Sequence, residues 1–326
     1  MNKWTEIVNC IKASGRVVIM THANMDGDAI GSALALCHAL RSMGKRCVIL
    51  LEDDIPRYLK FMHDHSGVSG DPFFVFEMPF EPELAMVVDC GDTGRIDKRL
   101  DVYQSCSTKI CVDHHMHIDS FADHSVVEPA ASATGLLVYE LIKELGVSID
   151  KEIAEDLYIA ILTDTGCFKY SNTTKECHLM AAELYEYGID HEKLATLIYD
   201  TVELPQIKLE AAIVQWMEIF AGGRAVVSYV TQDQLKELGA SYDMTSGCID
   251  VLRKIEGCEI AAFLKEHEDG TVKLSLRSKG ESDVNRVARA LGGGGHVKAS
   301  GATLRVPLKE AIELTKAEIE KELSLL

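Results

Sequence analysis

The 326-residue sequence has no C-x-x-C pair, no apolar run approaching membrane length, and no internal repeat. Each absence removes a class of protein. A spanning helix needs about 20 consecutive apolar residues, so membrane association is not expected. The N-terminus lacks the basic-then-apolar layout of a secretion signal. Ten scattered Cys in a chain this long read as reduced thiols, and with no thiolate cluster there is no argument for structural zinc. The expected location is therefore the cytoplasm. Positive charge is also short: the formal net charge is −18. An acidic surface repels long duplex nucleic acid, whose binding needs Lys and Arg against many phosphates. A small phosphorylated ligand held by metals and a few local cations stays open.

What is present is ordinary for a globular protein, 47% hydrophobic and 26% charged residues, in a length that predicts two domains. The chain is organised around Thr21-His22-Ala23-Asn24-Met25-Asp26-Gly27-Asp28. Arg16–Met20 before it reads as a buried strand, and Ala29–Met43 after it as a helix stopped by Gly44. Arg46–Leu51, Leu84–Val88 and Thr108–Val112 read as further strands, the last two ending in Asp89-Cys90-Gly91-Asp92 and Asp113-His114-His115. Such alternation predicts an α/β fold, a parallel sheet with helices on both faces. Ligands gather at the C-terminal edge of such sheets, so His22, Asp26, Asp28, Asp89, Asp113, His114 and His115 should converge there.

Helices are expected at 132–145, 151–163 and 174–187, the middle one running into Thr163-Asp164-Thr165-Gly166. Domain boundaries follow: a metal-binding domain at 1–190, a helical connector at 191–223, and a smaller α/β domain at 224–326. In the last, Ile260–Lys265 and Thr271–Ser278 form a hairpin through His267-Glu268-Asp269-Gly270. The loop Gly292–Gly295 precedes His296, and a strand is expected near Ala302–Val306.

A lone Asp after a strand is most often a helix cap or turn residue, and a His pair is most often surface or core. The combination carries the argument. Asp26, Asp28, Asp89 and Asp164 in one site would repel one another, and two divalent cations would neutralise them. A mixed carboxylate and imidazole set suits Mn²⁺ first, with Mg²⁺, Co²⁺ or Fe²⁺ as substitutes. Two such cations about 4 Å apart clamp the oxygens of an in-line displacement at phosphorus. Hydrolysis of a phosphoester or phosphoanhydride is the reaction expected. His38 reads as a packing residue, and His63, His65, His117 and His124 as loop residues without chemistry.

These motifs resemble the four of the DHH phosphoesterases, and Gly292–His296 with Ala299-Ser300-Gly301 resembles the glycine-rich signature of the DHHA1 domain. Phe168-Lys169-Tyr170-Ser171-Asn172-Thr173 is closest to the branch acting on short oligoribonucleotides and 3′-phosphoadenosine-5′-phosphate. The resemblance implies His22, Asp26 and Asp89 on one metal, and Asp28, Asp89, His114 and Asp164 on the other. It implies His115 at the scissile phosphate, Asp113 orienting the imidazoles, and Arg277, Gly294, Gly295, His296, Ser300 and Lys169 as substrate-binding residues. Met25, Ile118 and Lys169 depart from the usual Pro, Asn and Arg, which bears on substrate preference.

The expected partners are short RNA of two to five nucleotides or a small phosphorylated nucleotide, with a homodimer also open. Other readings are a phosphodiesterase of linear or cyclic dinucleotide messengers, a manganese-dependent inorganic pyrophosphatase, and a non-catalytic nucleotide sensor.

Overall fold

Six short strands build the sheet of the first unit: β1 (Arg16–Met20), β2 (Arg46–Leu50), β3 (Phe74–Val75), β4 (Leu84–Val88), β5 (Thr108–Asp113) and β6 (His124–Val127). The computed structural model describes residues 2–65, 72–115 and 121–325; His117 and Ile118 lie outside them. The strand order is β3-β2-β1-β4-β5-β6, and every pairing is parallel.

Both faces of this sheet are covered, which explains why its strands carry no polar alternation. Val17 and Ile19 of β1 join one apolar cluster, while Val18 and Met20 join another on the opposite face. The larger cluster holds α1 (Thr5–Ala13), α2 (Gly27–Ser42), α4 (Thr134–Leu145) and α5 (Lys151–Asp164). It also takes in α6 (Lys175–Tyr185) and α7 (His191–Tyr199). The smaller cluster packs α3 (Leu100–Ser105) through Tyr103. From β1 the chain builds outward to β2 and β3, then returns to lay β4, β5 and β6 on the other side. The order reverses between β1 and β4, and a crevice forms beyond the strand ends at such a reversal.

A second compact unit begins at Val202. It comprises α8 (Leu204–Gln215), β7 (Glu218–Phe220), β8 (Ala225–Val230), α9 (Gln232–Leu238), α10 (Cys248–Arg253) and β9 (Ile260–Glu266). There follow β10 (Val272–Ser278), α11 (Val284–Ala290), β11 (Gly294–His296), β12 (Ala299–Leu304) and α12 (Leu308–Leu323). Their mixed sheet runs β11-β12-β10-β9-β8-β7, parallel only between β8 and β9. The expected hairpin is the antiparallel β9–β10 pair. Helices α11 and α12 close one face, and α8, α9 and α10 cover part of the other.

Four local expectations are corrected. The 191–223 segment is divided: Leu194 and Ile198 of α7 belong to the first core, Leu209 and Ile213 of α8 to the second, and the units part between Thr201 and Val202. Glu218–Phe220, inside the expected helical connector, is an edge strand. The final strand starts at Ala299, because Gly294–His296 pairs alongside it as a strand rather than lying as a free loop. His124 opens β6, with Nδ1 3.1 Å from Glu6 Oε2, and the backbone at 63 and 65 lies in a 3₁₀ helix.

Candidate metal centre

Every motif of the first unit ends at one sheet edge, and its side chains meet there. His22 follows β1, Asp26 caps α2, Asp28 sits in the first turn of α2, and Asp89 follows β4. Asp113 ends β5 with His114 and His115 after it, and Asp164 ends α5.

His22 Nε2 lies 3.5 Å from Asp89 Oδ2 and 3.9 Å from Asp26 Oδ1. His114 Nε2 lies 3.6 Å from Asp89 Oδ1, 3.7 Å from Asp164 Oδ2 and 3.8 Å from Asp28 Oδ2. One donor atom from each of His22, Asp26 and Asp89 falls within 4.8 Å of the others, and the same holds for Asp28, His114 and Asp164. These separations exceed hydrogen bonds. They suit atoms about 2.1 Å from a shared cation, which stand roughly 3–4 Å apart.

The imidazoles are set for that use. His22 Nδ1 is 2.8 Å from the Ala23 carbonyl and His114 Nδ1 is 3.1 Å from that of Ala131. An N–H donated at Nδ1 leaves the Nε2 lone pair for a metal. Asp28 is 1% exposed and accepts from Thr134 N at 2.7 Å, Gly135 N at 2.9 Å and Ser32 Oγ at 3.0 Å, so it also caps α4. Thr134 Oγ1 donates to Asp89 Oδ1 at 2.9 Å. Asp89 itself is held at φ 55, a left-handed backbone uncommon outside Gly.

Electrostatics make the same case. Burial, then the Asp89, Asp164 and Asp26 charges, push Asp28 well above the ordinary carboxyl range despite those donors. Burial and the Asp89 and Asp26 carboxylates raise Asp164 to about 6, against His114. Burial would also raise Asp89, but His22, His115 and His114 hold it below its usual value. Unbalanced negative charge of this kind, with two Nε2 atoms aimed into it, fits divalent cations.

His115 differs from its neighbour. Its Nδ1 is 2.8 Å from Asp113 Oδ1, which also accepts from the backbone N–H groups of His114 and His115 at 2.7 and 3.1 Å. Although Asp89, His114 and His115 also bring donor atoms together, the His115 atom is this same Nδ1, already engaged by Asp113. Asp113 raises the imidazole to about 9, with help from Asp89.

Three supports were given no role by the sequence reading. The Arg99 guanidinium, 3% exposed, donates to the carbonyls of Thr21 at 2.8 Å and Leu50 at 3.1 Å and pairs with Glu52 at 3.2 Å, tying the ends of β1 and β2. Thr134 is the second. The third is Asn172, whose Nδ2 donates to the Asp164 carbonyl and to Asp164 Oδ2, both at 3.1 Å. Between Asp164 and Asn172 the residues Gly166, Cys167 and Phe168 take φ of 55, 61 and 59 in succession. A left-handed residue other than Gly costs about 1–2 kcal/mol, so this turn holds strain beside the ligand.

In the second unit, Arg277, Ala299 and His296 stand opposite one another across β10, β12 and β11. Directly opposed residues share a face, so Arg277, Gly294 and His296 lie on one side of the sheet with small residues between them. Gly295 and Ser300 belong to the other register. Ser300, expected among the substrate contacts, is 6% exposed and its hydroxyl donates to the His296 carbonyl at 2.7 Å. It supports the backbone of His296. Lys169 is exposed in the first unit, its Nζ 5.8 Å from the Tyr199 ring centroid.

Fold and cluster together define a parallel α/β domain with a candidate acid-and-imidazole metal centre at its switch point, followed by a mixed-sheet domain. Family models match at both: the DHH family N-terminal domain over residues 16–161 and the DHHA1 domain over 222–324. The bifunctional oligoribonuclease and PAP phosphatase NrnA of Thermus thermophilus is 34% identical over 98% of this chain and 94% of its own length. The crystal structure of an exopolyphosphatase-related protein from Bacteroides fragilis superposes with a TM-score of 0.91 at 27% identity, covering 99% of this chain and 97% of that one. RecJ of Thermus thermophilus in complex with Mn²⁺ shares the fold at 12% identity and a TM-score of 0.58, over 100% of this chain and 55% of that one. The chain belongs to the DHH/DHHA1 phosphoesterases, a family of metal-dependent hydrolases.

Proposed function

We propose that the protein is a manganese-dependent phosphoesterase that hydrolyses oligoribonucleotides of two to about five residues and 3′-phosphoadenosine-5′-phosphate to mononucleotides. The observation that carries this is the convergence of Asp26, Asp28, Asp89 and Asp164 with two imidazole Nε2 atoms, in a chain 34% identical to an oligoribonuclease and PAP phosphatase along nearly its whole length. Ten free thiols and the absence, among the described residues, of any helix able to cross a membrane support a cytoplasmic setting.

His22, Asp26 and Asp89 would hold one cation, and Asp28, Asp89, His114 and Asp164 the second. Cations held there would supply an acidified water and polarisation of the phosphoryl oxygens. Asp113 orients His115 through Nδ1 and keeps it protonated, so that its Nε2–H donates to a phosphoryl oxygen as charge develops there. Lys169, as a point charge, takes a neighbouring phosphate. Arg277 and His296, with Gly294 and Gly295 leaving the backbone open beside them, take the terminal phosphate or nucleotide. Mn²⁺ is favoured by the mixed carboxylate and imidazole donors.

A turnover panel tests the reading: 3′-phosphoadenosine-5′-phosphate, dinucleotides, five-mers, a cyclic dinucleotide and pyrophosphate, each with Mn²⁺ and with chelator. The expected result is Mn²⁺-dependent hydrolysis of the first three. Asp89→Ala should bring all turnover to background, and His296→Ala should mainly raise KM. Preferential hydrolysis of pyrophosphate, or full activity of the Asp89 variant, would reject it.

A further inference from the structure

The strained turn after Asp164 sits in a loop closed on itself. Asn172 reaches back to Asp164, Cys167 N donates to the Leu162 carbonyl at 2.7 Å, and Phe168 N donates to Thr165 Oγ1 at 3.0 Å. The N–H groups of Lys169 and Tyr170 both donate to the Thr165 carbonyl, at 2.9 and 3.0 Å. Such over-determination is what lets a left-handed run persist. Its product is the placement of Tyr170.

Gly166 is buried, and any Cβ there would collide with the Tyr170 ring, so the ring rests against bare backbone. Yet Tyr170 is 51% exposed. Neighbouring aromatic rings are occupied: Phe168 stacks on His178 at 5.1 Å and 21°, and the Tyr199 hydroxyl donates to the Leu162 carbonyl at 2.9 Å. Among the described residues, Tyr170 has neither a ring partner nor a hydroxyl partner. A rigid aromatic ring backed by glycine on one side and open on the other is the form of a base-stacking surface. A neutral ring also binds a nucleotide without adding positive charge, which suits a chain of net charge −18.

We infer that Tyr170 is the stacking platform for the nucleobase next to the phosphate under attack, a specificity-determining residue that rests on the phosphoesterase reading above. Lys169, one residue earlier, takes a flanking phosphate of the same nucleotide.

The test is stopped-flow mixing of the Mn²⁺-loaded protein with a dinucleotide carrying 2-aminopurine, whose fluorescence falls on stacking. An early quench reports the platform and a later phase reports cleavage. Tyr170→Ala should lose the quench and raise KM for dinucleotides about tenfold, with the loss in KM rather than kcat. Tyr170→Phe and Tyr170→Trp should keep both. On an abasic dinucleotide analogue the effect of Tyr170→Ala on KM should shrink below about twofold, since no base is left to stack.

An unquenched wild type, an unchanged KM in Tyr170→Ala, or an equal rise on the abasic analogue overturns the inference. So does loss of Mn²⁺ binding in calorimetry of Tyr170→Ala, which would make the ring a prop for Asp164. A Tyr170-dependent quench with no cleavage phase would leave the platform standing and reject the activity.

Discussion

Asp156 lies on α5 with its side chain 3% exposed, and Oδ2 stands 3.6 Å from His38 Nε2. His38, read from sequence as a packing residue, does pack, its ring centroid 4.3 Å from that of Phe73, but it also meets this carboxyl. Burial pushes Asp156 well above the ordinary carboxyl range, and Glu152, Glu155 and Asp150 push it the same way. The folded protein thus binds this proton more tightly than the unfolded chain does. Its stabilising contribution is complete below the unfolded value of about 4 and is lost as pH rises through the folded one. Asp156→Asn copies the protonated shape, so its urea midpoint should fall less between pH 5 and pH 8 than that of wild type. Equal slopes would assign the pH dependence to another group.

His115 offers a second test at this scale. His115→Asn removes the Nε2–H donor without replacing a proposed ligand, so kcat should drop about 10²–10³-fold while Mn²⁺ affinity by calorimetry holds. A matching loss of Mn²⁺ would make His115 a ligand. The convergence of these acids and imidazoles was readable because strand ends of one parallel sheet share an edge, so sequence position fixes their neighbourhood. Arg99 was not, since the carbonyls of Thr21 and Leu50 carry no residue identity and its carboxylate partner Glu52 stands far from it along the chain.

Among the elements, the glycine run is where sequence and structure part most. Four glycines read as a loop before His296, yet Gly294–His296 pairs along Ala299–Gly301 as an edge strand. The cause is close approach: a Cβ on Gly293 would collide with the Gly301 carbonyl and with Ala302. Gly293→Ala should therefore shift β12 and cost about 1–3 kcal/mol, as overpacking does, read as a lower urea midpoint for the second unit. An unchanged midpoint would mean the run yields freely. Strands β1, β4 and β5 were legible because buried aliphatic runs bounded by polar residues admit few alternatives at that length. The two-residue β3 and three-residue β7 were not, because pairing at a sheet edge, rather than local pattern, makes them strands.

For the whole molecule, the apolar cores of the two units share no residue among those described, and the division falls between Thr201 and Val202. Unfolding of such a chain need not be a single transition. The proposed ligands all belong to the first unit, so metal binding should stabilise that unit. At about 100 times its Kd, Mn²⁺ contributes about 2.7 kcal/mol per site, a shift of roughly 5–10 °C for a unit of this size. Scanning calorimetry should thus resolve two transitions, of which Mn²⁺ moves one. Asp89→Ala should abolish that movement without displacing the other, because Asp89 belongs to the first unit. A single transition that Mn²⁺ moves as a whole would show that the units unfold together, and an immobile pair of transitions would remove the metal from the first unit.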